Sequence, residues 1–150
     1  MSETKAPISE IQDEIVEDFS LLSGDLESTI FYIMELGQKL PVMDASLKTE
    51  EHLVKGCQSK VWLSARFKDG KVFFTADSNT EITKGLISLL IRIWNGRSPK
   101  EILESELYFI DKIGMSRVIG SQRSNGFASM VQKMRGYALG FSQFSNPNGN

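Results

Sequence analysis

Cysteine and histidine supply much of the nucleophilic, acid–base and metal-binding chemistry open to side chains, and this chain has one of each. They are His52 and Cys57, in the stretch H-L-V-K-G-C-Q-S-K-V-W-L-S at positions 52–64. A Cys–His hydrolase or acyltransferase needs the base within reach of the thiol and usually a third group to orient it. If the segment is extended, a five-residue separation holds the two side chains about 16 Å apart on opposite faces. The pairing is therefore expected to be incidental.

Cys57 itself admits two readings. Free cysteine is among the most buried residue types and often does no more than pack. Here, however, Lys55, Gly56, Gln58, Ser59 and Lys60 are polar or small and form a turn between two apolar runs. Gly56 leaves room for an approaching partner. The two lysines favour a thiolate, though only modestly while exposed and screened. The residues alone leave both readings open: a reactive thiol, or an inert one in a non-catalytic interaction module.

Other chemistries are poorly supplied. Structural zinc takes four Cys/His ligands at close spacing, which one Cys and one His cannot provide. Lys84-Gly85 and Asn95-Gly96-Arg97 fit neither phosphate-binding glycine pattern and are expected to be packing and capping glycines. Glu50-Glu51 and Glu104-Ser105-Glu106 are expected to be solvated surface rather than acid–base pairs. No metal or bound cofactor is expected.

The chain has 150 residues, 41% hydrophobic and 24% charged, with a net charge of −2. That suits a single domain over 1–150 with an ordered core of about 8–143 and loose ends at about 1–7 and 145–150. No run of lysines and arginines is present, which argues against nucleic acid as a partner. The N-terminus shows no secretory signal, and the longest apolar stretch, Gly85 to Trp94, is too short to span a bilayer. One cysteine cannot form an internal disulfide, so a soluble chain in a reducing cytoplasm is expected. A monomer is expected, with a dimer open if Phe141 and Phe144 are exposed.

The elements that must position Cys57 follow from periodicity. Ile8, Ile11, Ile15, Phe19 and Leu22 recur at helical spacing, as do Leu26, Ile30, Ile33 and Met34, with Gly37 expected to stop the second helix. A short helical turn is expected near Ser46 to Glu51. From Val61 the period becomes two, and Asp69-Gly70 signals a hairpin to a strand through Val72–Ala76. His52-Leu53-Val54 is a candidate third strand. Ser78-Asn79-Thr80-Glu81 resembles a capping box ahead of a central buried helix from Ile82 to Trp94. Ser98-Pro99 opens another helix, with proline at its tolerated first position. A segment from Leu107 to Ile113 follows, closed by Gly114. A last helix carries Phe127, Met130, Val131, Met134, Tyr137, Ala138 and Phe141 on one face. The expected class is α+β, with a small antiparallel sheet of about three strands, residues 52–76, between flanking helices.

Four short motifs then carry a resemblance. They are Glu35-Leu36-Gly37 with Leu40-Pro41; Gly56-Cys57-Gln58-Ser59 with Val61-Trp62; Ala76-Asp77-Ser78 with Lys84-Gly85-Leu86; and Arg123-Ser124-Asn125-Gly126 leading to Met130. In this order they resemble the SufE family of cysteine desulfuration proteins, over roughly residues 10–142. The resemblance implies a sulfur acceptor for a PLP-dependent cysteine desulfurase of the SufS type. It implies that sulfur is held as a persulfide on Cys57 and passed to an iron–sulfur cluster scaffold, with the PLP belonging to the partner. It places Cys57 as the acceptor and Arg123 near it in space, with Gly56 and Gln58 in support. The family often has proline and serine before that arginine; here they are Ser121-Gln122, which alters the approach to the last helix. A lone cysteine suits a carrier, because a resolving second thiol would discharge the persulfide. Cys57 is expected to shelter against apolar neighbours at rest and to swing out about Gly56.

Overall fold

The computed structural model describes residues 5–22 and 24–144. Of the expected loose ends, 1–7 and 145–150, residues 1–4 and 145–150 lie outside these described residues, as does Ser23 in the break after the first helix. Lys5 is anchored: its Nζ donates to the carbonyls of Arg92 and Asn95 at 2.8 and 2.7 Å.

The order is α1 (Ile8–Ser20), α2 (Leu26–Gln38), β1 (Val61–Lys68), β2 (Lys71–Ser78), α3 (Glu81–Trp94), α4 (Pro99–Glu104), α5 (Phe109–Lys112) and α6 (Met115–Ser142). Two single-turn 3-10 helices, Ala45–Leu47 and Glu50–His52, lie between α2 and β1. The α+β class holds.

The strands pair antiparallel with Val61 opposite Ser78 and Lys68 opposite Lys71. Asp69 and Gly70 turn between them with φ of +53° and +77°, the left-handed pair a two-residue hairpin requires. Val61, Leu63, Val72, Phe74 and Ala76 face the core. The third strand is corrected to a single rung. His52 belongs to a 3-10 turn, only Leu53 bridges Trp62, and the Val54 amide donates to Val61 at 2.8 Å. Gly56, with φ +92°, turns the chain away before pairing can extend.

Helix α3 is the centre of the molecule, as its nearly all-round apolar pattern predicts. Leu86, Ile87, Leu89, Leu90, Ile93 and Trp94 are all buried. It lies backbone to backbone with α2. A Cβ on Gly85 would stand 1.9 Å from the Ile33 carbonyl oxygen, and one on Gly37 would stand 2.3 Å from that of Glu81. Gly37 therefore does not stop α2. It lies inside the helix, where only a residue without a side chain allows this approach.

The capping box moves too. At α3 the N-cap is Thr80, whose side chain makes no capping bond to the helix backbone, because β2 runs through Ser78 and leaves two residues for the turn. The box forms instead at α4, where Ser98 and Glu101 bond reciprocally and Pro99 takes the first helical position. Trp94 Nε1 donates to Ser105 Oγ at 2.9 Å, and Arg135 spans from the Ser105 carbonyl to the face of the Trp94 ring. These contacts tie α6 to the end of α3.

Helix α6 is broken at Gly120, whose φ of +83° and ψ of 167° are reserved almost entirely for glycine. After the break, Phe127, Met130, Met134 and Ala138 are buried along one face. Tyr137 donates to the Leu63 carbonyl at 2.8 Å and Phe141 stacks on Phe67, so α6 packs on β1. Phe144 is exposed. Among the described residues no helix is long and apolar enough to cross a membrane.

Candidate functional site

Cys57 sits in the loop that joins the Leu53–Val54 rung to β1. Both ends of this loop are held. The Val54–Val61 bond closes its base, and at the far end Lys60 N donates to Asn79 Oδ1 at 3.1 Å. Ser59 Oγ pairs with Thr80 Oγ1 at 3.1 Å, which in turn donates to Thr83. Between these anchors, Gly56 passes so close to α6 that a Cβ on it would lie 2.6 Å from Ser129 Oγ. Its positive φ and this close approach both call for glycine.

The thiol points at α6. Cys57 Sγ donates to the Gly126 carbonyl at 3.4 Å. Gly126 makes the space: a Cβ there would sit 3.2 Å from Sγ. Cys57 is half-buried and packs against the edge of the hydrophobic core. It lines a cavity of about 70 Å³ together with Leu86, Gly126 and Met130 and with the polar Gln58, Gln122 and Arg123. Burial pushes the Cys57 thiol above its ordinary pKa. The lysines at 55 and 60, taken from sequence as favouring the thiolate, do not offset this at rest.

Arg123 lies three residues after the Gly120 break, in the first turn of the resumed helix. The break lets α6 restart at Ser121 and brings Arg123 onto the same cavity as Cys57, although 66 positions separate them in sequence. Arg123 is exposed, and among the described residues no hydrogen bond, ion pair or ring contact holds its guanidinium. Gln58, Gln122 and Arg123 also border a second hollow of about 370 Å³ with Ile119, Gly120 and Ser121.

His52 goes elsewhere. Its Nδ1 is 3.0 Å from Thr49 Oγ1 within the 3-10 turn, and it does not line the Cys57 cavity. Among the described residues no three His, Cys, Asp or Glu side chains gather as a metal site. Asp77 lies between Lys48 and Lys84 at the sheet edge, and Lys48 also stacks over Trp62. Gly120 and Ser129 were not singled out from sequence. An isolated glycine inside a helical pattern was the available signal for the first, and nothing in the chain marks the second.

Residues 13–138 match the SufE family, described as the Fe-S metabolism associated domain. An uncharacterised SufE-like protein of Rhizobium meliloti is 34% identical over 133 residues, covering 85% of this chain and 94% of its own. SufE-like protein 1, chloroplastic/mitochondrial, of Arabidopsis thaliana is 34% identical over 136 residues, covering 89% of this chain and 37% of its own. The solution structure of a hypothetical protein from Thermus thermophilus superposes with a TM-score of 0.70 at 21% identity, over 86% of this chain and 93% of that one. At that identity the likeness speaks for the fold.

Proposed function

The chain belongs to the SufE family, and we propose that it takes sulfur onto Cys57 from the persulfide of a SufS-type, PLP-dependent cysteine desulfurase, stimulates that enzyme, and passes the sulfur to an iron–sulfur scaffold. Membership itself carries a place in iron–sulfur metabolism. The finer reading is supported above all by one arrangement: the chain's single cysteine stands on a small cavity whose rim also has Arg123, unpaired among the described residues.

Transfer is an exchange at sulfur. Cys57 gives up its proton, and the thiolate attacks the outer sulfur of the partner's persulfide. A bond forms from Cys57 Sγ to that sulfur as the partner's S–S bond breaks. The partner's cysteine leaves as a thiolate, with no net gain or loss of electrons. This chain acts as co-substrate and activator, and the PLP stays with the partner.

At rest, burial and the bond to the Gly126 carbonyl favour the thiol over the thiolate. Attack therefore calls for Cys57 to leave the cavity when the partner docks. Gly56 supplies the pivot, between ends fixed at Val54 and Lys60. Arg123 offers a positive charge to the thiolate and then to the anionic persulfide, and Gln58 borders the path. Return to the cavity shelters the loaded sulfur from solvent reductants. Such chemistry suits a reducing aqueous compartment, and we assign the chain to the cytoplasm.

The test is turnover. With L-cysteine as substrate, this chain raises alanine formation by the desulfurase, and Cys57→Ser does not. Equal stimulation by both proteins refutes the reading.

A further inference from the structure

Acidic residues are distributed unevenly along this chain. Nineteen are present, and none falls within positions 52–68 or 112–150. Those two segments contain the Cys57 loop, β1 and all of α6. The thiol loop and the α6 wall of the site are thus acid-free in a chain whose net charge is −2, while the remaining wall, Thr83 and Leu86, comes from α3, which carries Glu81 in its first turn.

Around the thiol the cations are unspent. Lys55 lies two residues before Cys57 and Lys60 three after, at most about 7 and 11 Å along the backbone. Both are exposed, as is Arg123 on the cavity rim. None of the three side chains has an ion pair, hydrogen bond or ring contact among the described residues. Away from the thiol, Lys48 and Lys84 pair with Asp77, Arg92 with Glu14 and Asp18, and Arg97 with Glu101. Lys39, Lys68, Lys71, Lys100 and Arg117 likewise have no such partner among the described residues, so what distinguishes Lys55, Lys60 and Arg123 is their place beside the one thiol.

From this we infer that the rim around Cys57 is an electrostatic docking surface, and that Lys55, Lys60 and Arg123 receive an acidic face on the protein that carries the donor persulfide. The inference rests on the sulfur-acceptor reading and adds the chemistry of the partner's surface. Exposed single pairs contribute little to affinity. Several like charges on one rim instead steer the encounter and set its orientation, an effect that salt weakens. Docking of acids on this rim also places the donor sulfur over the thiol.

The experiment measures desulfurase turnover against the concentration of this chain, for the native protein and for Lys55→Glu/Lys60→Glu. A small-molecule persulfide, cysteine persulfide, serves both proteins as a donor without a protein surface, and its loading rate reads any effect of the two lysines on the thiolate itself. The inference expects the KM for this chain to rise about tenfold in the double variant, a larger factor than any change in loading by cysteine persulfide. It expects a similar loss of the native protein's advantage as salt is raised from about 20 to about 300 mM. A KM insensitive to both salt and charge reversal overturns the inference and leaves the acceptor reading standing. Failure of the native protein to stimulate the desulfurase, with loading by cysteine persulfide intact, removes the acceptor reading and this inference with it. Retention of the native protein on a DNA duplex, lost in the double variant, with no effect on the desulfurase KM, assigns the rim to nucleic acid and also overturns it.

Discussion

The carbonyl of Gly126 accepts the Cys57 thiol at 3.4 Å, and the missing side chain of Gly126 leaves the room in which that sulfur lies. One residue of α6 therefore both holds the thiol and makes its shelter. A methyl group at 126 would crowd Sγ of Cys57 at 3.2 Å while meeting its Cα and Cβ at ordinary contact distances of 3.5 and 3.6 Å.

Gly126→Ala is accordingly predicted to push Cys57 toward solvent. Alkylation of the native protein by iodoacetamide should become several-fold faster, with a stability loss of about 1–3 kcal/mol from crowding. Urea denaturation measures the second quantity. An unchanged alkylation rate would mean that the loop yields elsewhere and that Gly126 does not set the thiol's position.

Burial raises the Cys57 pKa. The alkylation rate of the folded protein should therefore rise with pH along a curve displaced above that of the unfolded chain, whose thiol titrates at about 8.5. The sign for stability follows from linkage. The folded state holds its thiol proton to higher pH than the unfolded state. The contribution is thus complete below the unfolded pKa and is lost as pH rises through the folded one. Stability of the native protein should fall across that alkaline window more steeply than that of Cys57→Ser. Parallel pH profiles for the two proteins would contradict this.

Arg123 is exposed and unpaired among the described residues, so Arg123→Ala should leave stability within about 0.5 kcal/mol of native. Stimulation of the desulfurase should drop about tenfold, which is about 1.4 kcal/mol of lost stabilisation at the reacting sulfur. Arg123→Lys should recover part of it. A large loss of stability would instead give Arg123 a role in holding α6.

Gly85→Ala tests the scaffold. The added methyl would meet the Ile33 carbonyl at 1.9 Å, and a backbone atom cannot step aside as a side-chain tip can. A loss of about 3 kcal/mol or more is expected, read as a lower urea midpoint. Gly136→Ala, on an open stretch of α6, should be neutral or slightly stabilising.

Much of this was legible in the sequence, for identifiable reasons. Elements with a strong period were plain: the alternation of Val61 to Phe67, the Asp69-Gly70 turn, and the all-round apolar pattern of α3. Three features depended on contacts that local pattern does not encode. Gly37 sits where a helix end was expected, and only the approach of α3 explains it. Ser78 and Glu81 have capping-box spacing, but the strand claims Ser78 first. Leu53-Val54 is apolar enough for a strand, and the positive φ at Gly56 ends the pairing after one rung. At the site, the loop around Cys57 announced itself by its small and polar neighbours. The meeting of Cys57 with Arg123 was implied by family resemblance alone, because it depends on a helix break at Gly120 that brings together residues from opposite halves of the chain.

The central claim is that Cys57 carries sulfur. The most direct measurement is the intact mass of the protein after incubation with a cysteine desulfurase, PLP and L-cysteine, with no reductant present. The account predicts a gain of one sulfur atom that dithiothreitol removes and that Cys57→Ser never shows. An unchanged mass beside a desulfurase that is itself loaded would contradict it, and would leave Cys57 as a packing residue of the core's edge.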